Sequence, residues 1–268
     1  MNQEYEDFIN ELMDNGRQEV ITAISLTNIC GMLTINELDK YLAQSNPDMT
    51  IAELFDIVGV FKEGYKKFPG MVPFLYNYNE NDLDNSYICS ALLSENFEDF
   101  IDNPETDIIL NQVQFEKLKE ARIKFGLAPL EVFRGEDIAD NILSLGYPDM
   151  KNAKKMTNFL RKFVKYDEEF ITTIIFEATN DVKMLGISGA ITDTLAKEIS
   201  EYSGKELTDK DITKLANLLT SLSDDQRQWI LGGYSIREFC NQNPELIDDY
   251  FEFVEGSEKD EFIEVSKK

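Results

Sequence analysis

The sequence predicts a mainly α-helical protein whose first half also holds a small β-hairpin. Three observations carry that prediction. Apolar residues recur at helical spacing along most of the 268 residues. Ser/Thr-x-x-Glu boxes, which satisfy free N–H groups at a helix start, stand at Thr50/Glu53 and Ser235/Glu238. The β-prone runs Phe74–Tyr78 and Ser86–Ser90 are separated by a single Asn/Asp-rich loop. With 43% hydrophobic and 11% aromatic residues, the chain has the apolar material for one large core or two modest ones.

Residues 4–29 place Tyr5, Phe8, Ile9, Leu12, Val20, Ile24 and Ile29 at roughly helical intervals, with a break at Gly16. Gly31 punctuates the chain, and Met32-Leu33-Thr34 reads as a short strand. Ile35–Ser45 reads as a helix that turns Leu38, Tyr41 and Leu42 inward, and Asn46-Pro47-Asp48 as a turn. Thr50 then caps a helix from Ile51 to about Phe61, and the hairpin follows. Helix, short strand, helix, turn, helix and hairpin is the order of a winged-helix module.

The second half reads as a helical bundle. Gln112–Phe125 carries Val113, Phe115, Leu118, Ala121 and Ile123 ahead of Gly126 and Pro129. Glu136–Leu145 reads as a short helix, and Gly146-Tyr147-Pro148-Asp149 starts a longer one with Met156, Phe159, Leu160 and Phe163 on one face. Helices over Glu168–Thr179, Ile191–Tyr202, Asp209–Leu222 and Pro244 to about Phe253 complete the set. Thr208/Asp211 resembles a capping box, and Ser223/Gln226 and Ser235/Glu238 match the pattern better. The organisation expected is an acidic winged-helix-like module over 1–108, a helical domain over 109–255 and a polar tail over 256–268. The boundary is placed around Thr106–Asn111, where the charge regime changes.

That regime is uneven. The formal net charge is −25, with 51 acids, 26 bases and no histidine. Residues 1–110 hold 21 acids against 5 bases, 111–170 hold 10 against 11, and 171–268 hold 20 against 10. Such a field repels nucleic acid and anionic membrane and attracts basic partners. Without His, the usual neutral-pH general base and the commonest transition-metal ligand are both missing. Cys30, Cys89 and Cys240 are far apart, odd in number and form no CxxC pair, as expected of reduced thiols in a cytoplasmic protein. The opening MNQEYEDF is acidic and no apolar run reaches membrane-spanning length, so neither a signal peptide nor a transmembrane helix is expected.

Two segments carry a resemblance. Gly31-Met32-Leu33-Thr34-Ile35-Asn36-Glu37-Leu38 resembles the "G-hydrophobic-hydrophobic-x-hydrophobic-x-E-L" opening of an N-terminal module in uncharacterised Gram-positive bacterial proteins that often end in a zinc-binding SEC-C motif. Ser223–Phe239 resembles their later "N-N-T-R-x-W-x-N-x-G-h-T-P-x-E-L" segment, with Arg227, Trp229, Gly233, Ser235 and Glu238 at its main positions. Between them, Glu136–Phe163 is similar to their pair of a short and a long helix. The likeness is colinear over roughly residues 20–240. No Cys/His cluster follows Phe239, so the zinc motif itself is absent. The resemblance implies helical, regulatory or interaction roles and supplies no catalytic residue. Local chemistry accounts for the segment independently: Gly233 suits a helix terminator, Ser235 and Glu238 a helix start, and Trp229, the only Trp, a packing anchor.

Candidate chemistry is sparse. Carboxylate pairs such as Asp224-Asp225, Asp248-Asp249 and Asp82 with Asp84 are what 51 acids produce by adjacency, and they read as solvated faces. Asn79–Asp84 lacks the order and the terminal Glu of a calcium loop. No G-x-S-x-G occurs, and Gly186-Ile187-Ser188-Gly189 lacks the Lys of a P-loop. No catalytic residue, metal ligand or cofactor is assigned.

The charge pattern supplies the candidate binding residues. One acidic strip runs through Glu80, Asp82, Asp84, Glu95, Glu98, Asp99 and Asp102, and a second through Asp248, Asp249 and Glu252. Lys151, Lys154, Lys155, Arg161, Lys162 and Lys165 form the one basic patch, which suits this chain's own acidic surfaces or those of a second copy better than the alternative of a nucleic-acid contact. The expectation is a non-enzymatic, acidic protein-binding or regulatory protein. Its partner would be a protein with a basic surface, with no nucleic acid, no membrane and no cofactor. The alternatives are a DNA mimic that occupies a nuclease, restriction enzyme or other DNA-binding protein and, third, an enzyme using carboxylates alone.

Overall fold

The computed structural model describes residues 3–125, 150–165, 167–186, 189–223 and 226–255. The protein is mainly helical with a small three-stranded sheet. It divides into two compact units, Met1–Leu145 and Gly146–Lys268. The helix expected over Glu136–Leu145, the helix start at 146–149 and the tail at 256–268 lie outside the described residues.

In the first unit the elements run α1 (Gln3–Asp14), α2 (Gln18–Cys30), β1 (Met32–Thr34), α3 (Ile35–Ser45), α4 (Ile51–Lys67), β2 (Phe74–Tyr76) and β3 (Tyr87–Cys89). A single 3-10 turn at Ala91–Leu93, α5 (Phe97–Asp102) and α6 (Gln112–Phe125) follow. Helix α2 is apolar nearly all round and is buried from Ala23 through Cys30, as a central helix must be. Its buried polar residues have partners: Thr27 donates to the Ala23 carbonyl at 2.9 Å, and Asn28 accepts from Ser90 at 3.3 Å. Around it, α3 buries Ile35, Leu38, Tyr41 and Leu42, and α4 buries Leu54, Ile57, Val58 and Phe61, the i, i+3, i+4, i+7 stripe of an amphipathic helix.

Strand β3 lies between β1 and β2 and is antiparallel to both, with Leu33 and Leu75 each opposite Ile88. Thr34 ends β1 and caps α3: its hydroxyl accepts from Glu37 N–H at 3.0 Å, and its N–H donates to the Glu37 carboxylate at 2.8 Å. This further box, Thr34-x-x-Glu37, is visible in the sequence but is hidden by reading Thr34 only as a strand residue.

Helix α6 packs against the sheet of this unit. The Phe115 ring meets Tyr76 and Tyr87 edge-on at 5.1 and 5.0 Å, and Arg122 hydrogen-bonds the backbone around β1. The charge boundary near 108 therefore falls inside the first unit rather than at its edge. Charge reports on solvation, whereas the unit is defined by what α6 buries.

In the second unit α7 (Met150–Leu160), α8 (Glu168–Leu185), α9 (Gly189–Ser203) and α10 (Asp209–Ser223) share one core. Met156, Phe159 and Leu160 of α7 share this core with Ile171, Ile174 and Ala178 of α8, Leu195 and Ile199 of α9, and Leu215 and Leu219 of α10. Thr208 and Asp211 cap α10 through their side chains. Ser223 does not start a helix: it is the last residue of α10, and 226–234 form turns with an isolated bridge between Arg227 and Ser235. Gln226 instead donates to the Thr179 carbonyl at 3.0 Å. Gly233 has φ 93°, but in that turn rather than at a helix end. Ser235 and Glu238 do form the expected box, at the start of α11 (Ile236–Gln242). After the 3-10 turn Pro244–Leu246, residues 247–255 are helical.

Trp229 is fully buried, and its backbone N–H donates to the Lys183 carbonyl of α8 at 2.9 Å. Beside it the Tyr250 hydroxyl donates to Gln228 at 2.7 Å. Gly186 ends α8 at φ 83°, and a Cβ there would lie 2.8 Å from the Tyr250 hydroxyl, so both backbone and space call for glycine.

Candidate interaction surfaces

The exposed side of α4 begins at its capping box. Thr50 Oγ1 and N–H both engage the Glu53 carboxylate, at 2.9 and 2.7 Å, and the bond from the Thr50 backbone chiefly holds that carboxyl below its ordinary pKa. Ala52, Glu53, Asp56, Gly59, Lys62, Glu63, Lys66 and Lys67 are exposed along the helix. The first half of this face is thus acidic. Its lysines lie in the second half and have neighbours. Lys62 pairs with Glu80 at 3.8 Å and sits 4.5 Å over the Tyr78 ring, Lys66 pairs with Asp107 at 3.5 Å, and Lys67 lies 5.2 Å over Phe68.

The acidic residues read from the sequence fall into three settings. Glu80, Asp82 and Asp84 belong to the β2–β3 loop, which is tied down rather than splayed. Asp82 accepts from Asn85 at 2.9 Å, Asp84 accepts from Asn36 at 2.6 Å, and the Tyr78 hydroxyl donates to Glu80 at 3.1 Å. Burial first, then Glu80, pushes the Tyr78 phenol up to about 12. Glu95, Asp99 and Asp102 are exposed on and beside α5, which also contains Glu98, and no Lys or Arg pairs with those three among the described residues. Asp248 and Glu252 are exposed and Asp249 half-buried on the 247–255 helix of the second unit.

The basic patch is only partly a free face. Lys151, Lys154 and Lys155 are exposed on α7, with Lys162 and Lys165 exposed beyond it. Arg161 is taken by Glu168, at 2.7 Å from Nη2 and 3.1 Å from Nε. Lys214 joins the patch from α10: it and Lys162 lie 6.0 and 5.6 Å from the Phe159 ring centre. Periodicity within one helix contains no signal for that neighbour, because α7 and α10 meet only through tertiary packing.

A cleft of about 270 Å³ opens where the α1–α2 turn and the α3–α4 turn flank the start of α4. Val20, Met49 and Ile57 give it apolar walls, and Arg17, Glu19, Glu53 and Asp56 give it charge. No motif marked it, since its lining comes from three separated stretches of chain.

Cys30 and Cys89 are buried and Cys240 half-buried, and burial pushes the Cys89 and Cys240 thiols up, away from the reactive thiolate. Among the described residues no three Cys, Asp or Glu side chains are placed to hold a metal ion. Burial, reinforced by Glu177 and Glu198, raises the Asp181 carboxyl to about 6. No helix among the described residues is long and apolar enough to cross a membrane. No protein-family model, curated protein or solved structure matches the chain.

Proposed function

We propose that the chain is a non-enzymatic, acidic protein that acts by binding another protein, in a regulatory role and in the cytoplasm. The first unit is read as winged-helix-like, which the placement of β1 between α2 and α3, the order β1-β3-β2 and the hairpin after α4 support. The second unit is read as a helical bundle, supported by the core its four helices share. One observation carries the functional reading. The α4 face, which a DNA-binding winged helix would lay against phosphates, exposes Glu53 and Asp56, and its Lys62 and Lys66 already pair with Glu80 and Asp107. Full chain should capture a protein from extracts of its source cell in a salt-sensitive way, identified by mass spectrometry, and should not retain duplex DNA. Retention of DNA at 0.15 M salt, abolished by Lys62→Glu with Lys66→Glu, would sink this reading.

A DNA mimic is the second reading, favoured by the exposed Glu95, Asp99 and Asp102, which pair with no Lys or Arg among the described residues. It predicts a captured DNA-binding protein that duplex DNA displaces. Neutralising Glu98, Asp99 and Asp102 together should then weaken capture, and unchanged capture counts against mimicry through this strip.

A further inference from the structure

The cleft at the start of α4 combines an apolar floor with an unbalanced rim. Val20 and Ile57 are 1% and 5% exposed, so the floor belongs to the folded core, and Met49 closes one side. Glu19 accepts only a 3.4 Å bond from Asn46, and the Asp56 carboxylate has no partner among the described residues. Arg17, the one cation of the rim, donates to the Asp56 backbone carbonyl at 3.5 Å rather than to a carboxylate.

We propose that this cleft is the docking site for a lysine or arginine side chain presented by a basic segment of a partner protein, an inference that rests on the protein-binding reading above. The stem of such a side chain is aliphatic and its head cationic, so one residue satisfies both the floor and the rim. An anionic ligand meets three carboxylates and one guanidinium. A purely apolar plug leaves Glu19 and Asp56 less solvated with nothing in exchange. The whole unit favours the cationic ligand as well, since residues 1–145 hold 27 acids against 10 bases. At physiological salt the unit's distant charges are screened within about 8 Å, so the local carboxylates decide where the cation settles.

The test is fluorescence anisotropy of the full chain with a labelled nonapeptide of alternating Lys and Ala, and with its Glu/Ala counterpart, at 0.15 M salt. The lysine peptide should bind and the glutamate peptide should not. Glu19→Lys with Asp56→Lys should weaken binding at least tenfold, whereas Glu105→Lys with Glu120→Lys, the same charge change at exposed positions elsewhere on the unit, should alter it less than twofold. Met49→Trp fills the cleft without touching charge and should also cost at least tenfold, with circular dichroism verifying that each variant folds. No binding by the native chain, or equal losses from the two charge reversals, overturns the docking site. A captured partner whose binding survives both Asp56→Lys and Met49→Trp overturns the cleft while leaving the protein-binding reading standing.

Discussion

Arg122 of α6 reaches across 85 residues of sequence to donate from Nη1 to the Glu37 carboxylate of α3 at 3.1 Å. The same carboxylate oxygen accepts from Thr34 N–H in the capping box, so one oxygen joins a strand end, a helix start and a distant helix. Arg122 Nη2 also meets the Cys30 and Met32 carbonyls. Arg122→Ala should therefore loosen α6 from the unit and cost about 2–4 kcal/mol, since the guanidinium is largely buried and its acceptors lose their donor. Arg122→Lys should recover only part, because an ammonium cannot span these acceptors as the planar fork does. Denaturant unfolding gives the magnitude, and hydrogen exchange of 112–125 shows whether α6 is the part released.

Ser86 organises the β2–β3 loop. Its hydroxyl accepts from Asn79 N–H at 2.7 Å and lies 2.8 and 3.0 Å from the Asp82 and Asn79 carbonyls. Ser86→Ala leaves these part-buried groups short of a partner and should cost about 1–2 kcal/mol. Exchange at 77–86 should accelerate far more than exchange in α2.

The Asp181 carboxyl is raised to about 6 by burial and by Glu177 and Glu198. A raised acid favours the protonated folded state, so this group's contribution to stability is fully present below about pH 4 and is lost as pH rises through about 6. Asp181→Asn should remove that pH dependence and raise stability at pH 7 by about 1–2 kcal/mol, the value reduced because the side chain is only partly buried. Unfolding curves of both proteins at pH 4.5 and 7 measure it, and an unchanged difference between the two pH values would show that Asp181 is not the group.

Gly186→Ala should cost about 1–3 kcal/mol, through the positive φ and the contact with the Tyr250 hydroxyl. Trp229, next in sequence to Ile230 at the Gly186 position and bonded through its backbone to Lys183 of α8, reports the change. Native emission should be blue-shifted and shielded from iodide, and in the variant iodide should gain access before the four-helix core melts.

Periodicity made α3, α4 and the four helices of the second core readable, because a helix's apolar stripe is written within a dozen residues of itself, whereas α2 is apolar nearly all round and α6 exposes Val113 and Ile123 from the set read as its apolar face. Capping was readable for the same reason at Thr50/Glu53 and Ser235/Glu238. It failed at Ser223/Gln226, where the pattern is present but the following residues turn to place Trp229 against α8. The acidic strip was visible as composition, but that Asp82 and Asp84 would be engaged by Asn85 and Asn36 was not.

Charge and local periodicity in this chain specified the helical class, the short strands, and an excess of acidic over basic residues. Which residues meet was settled by folding alone. Arg122 belongs with Glu37, Lys214 with the α7 lysines, and Arg17, Met49 and Asp56 around one cleft, because packing complementarity joins groups that no local pattern relates.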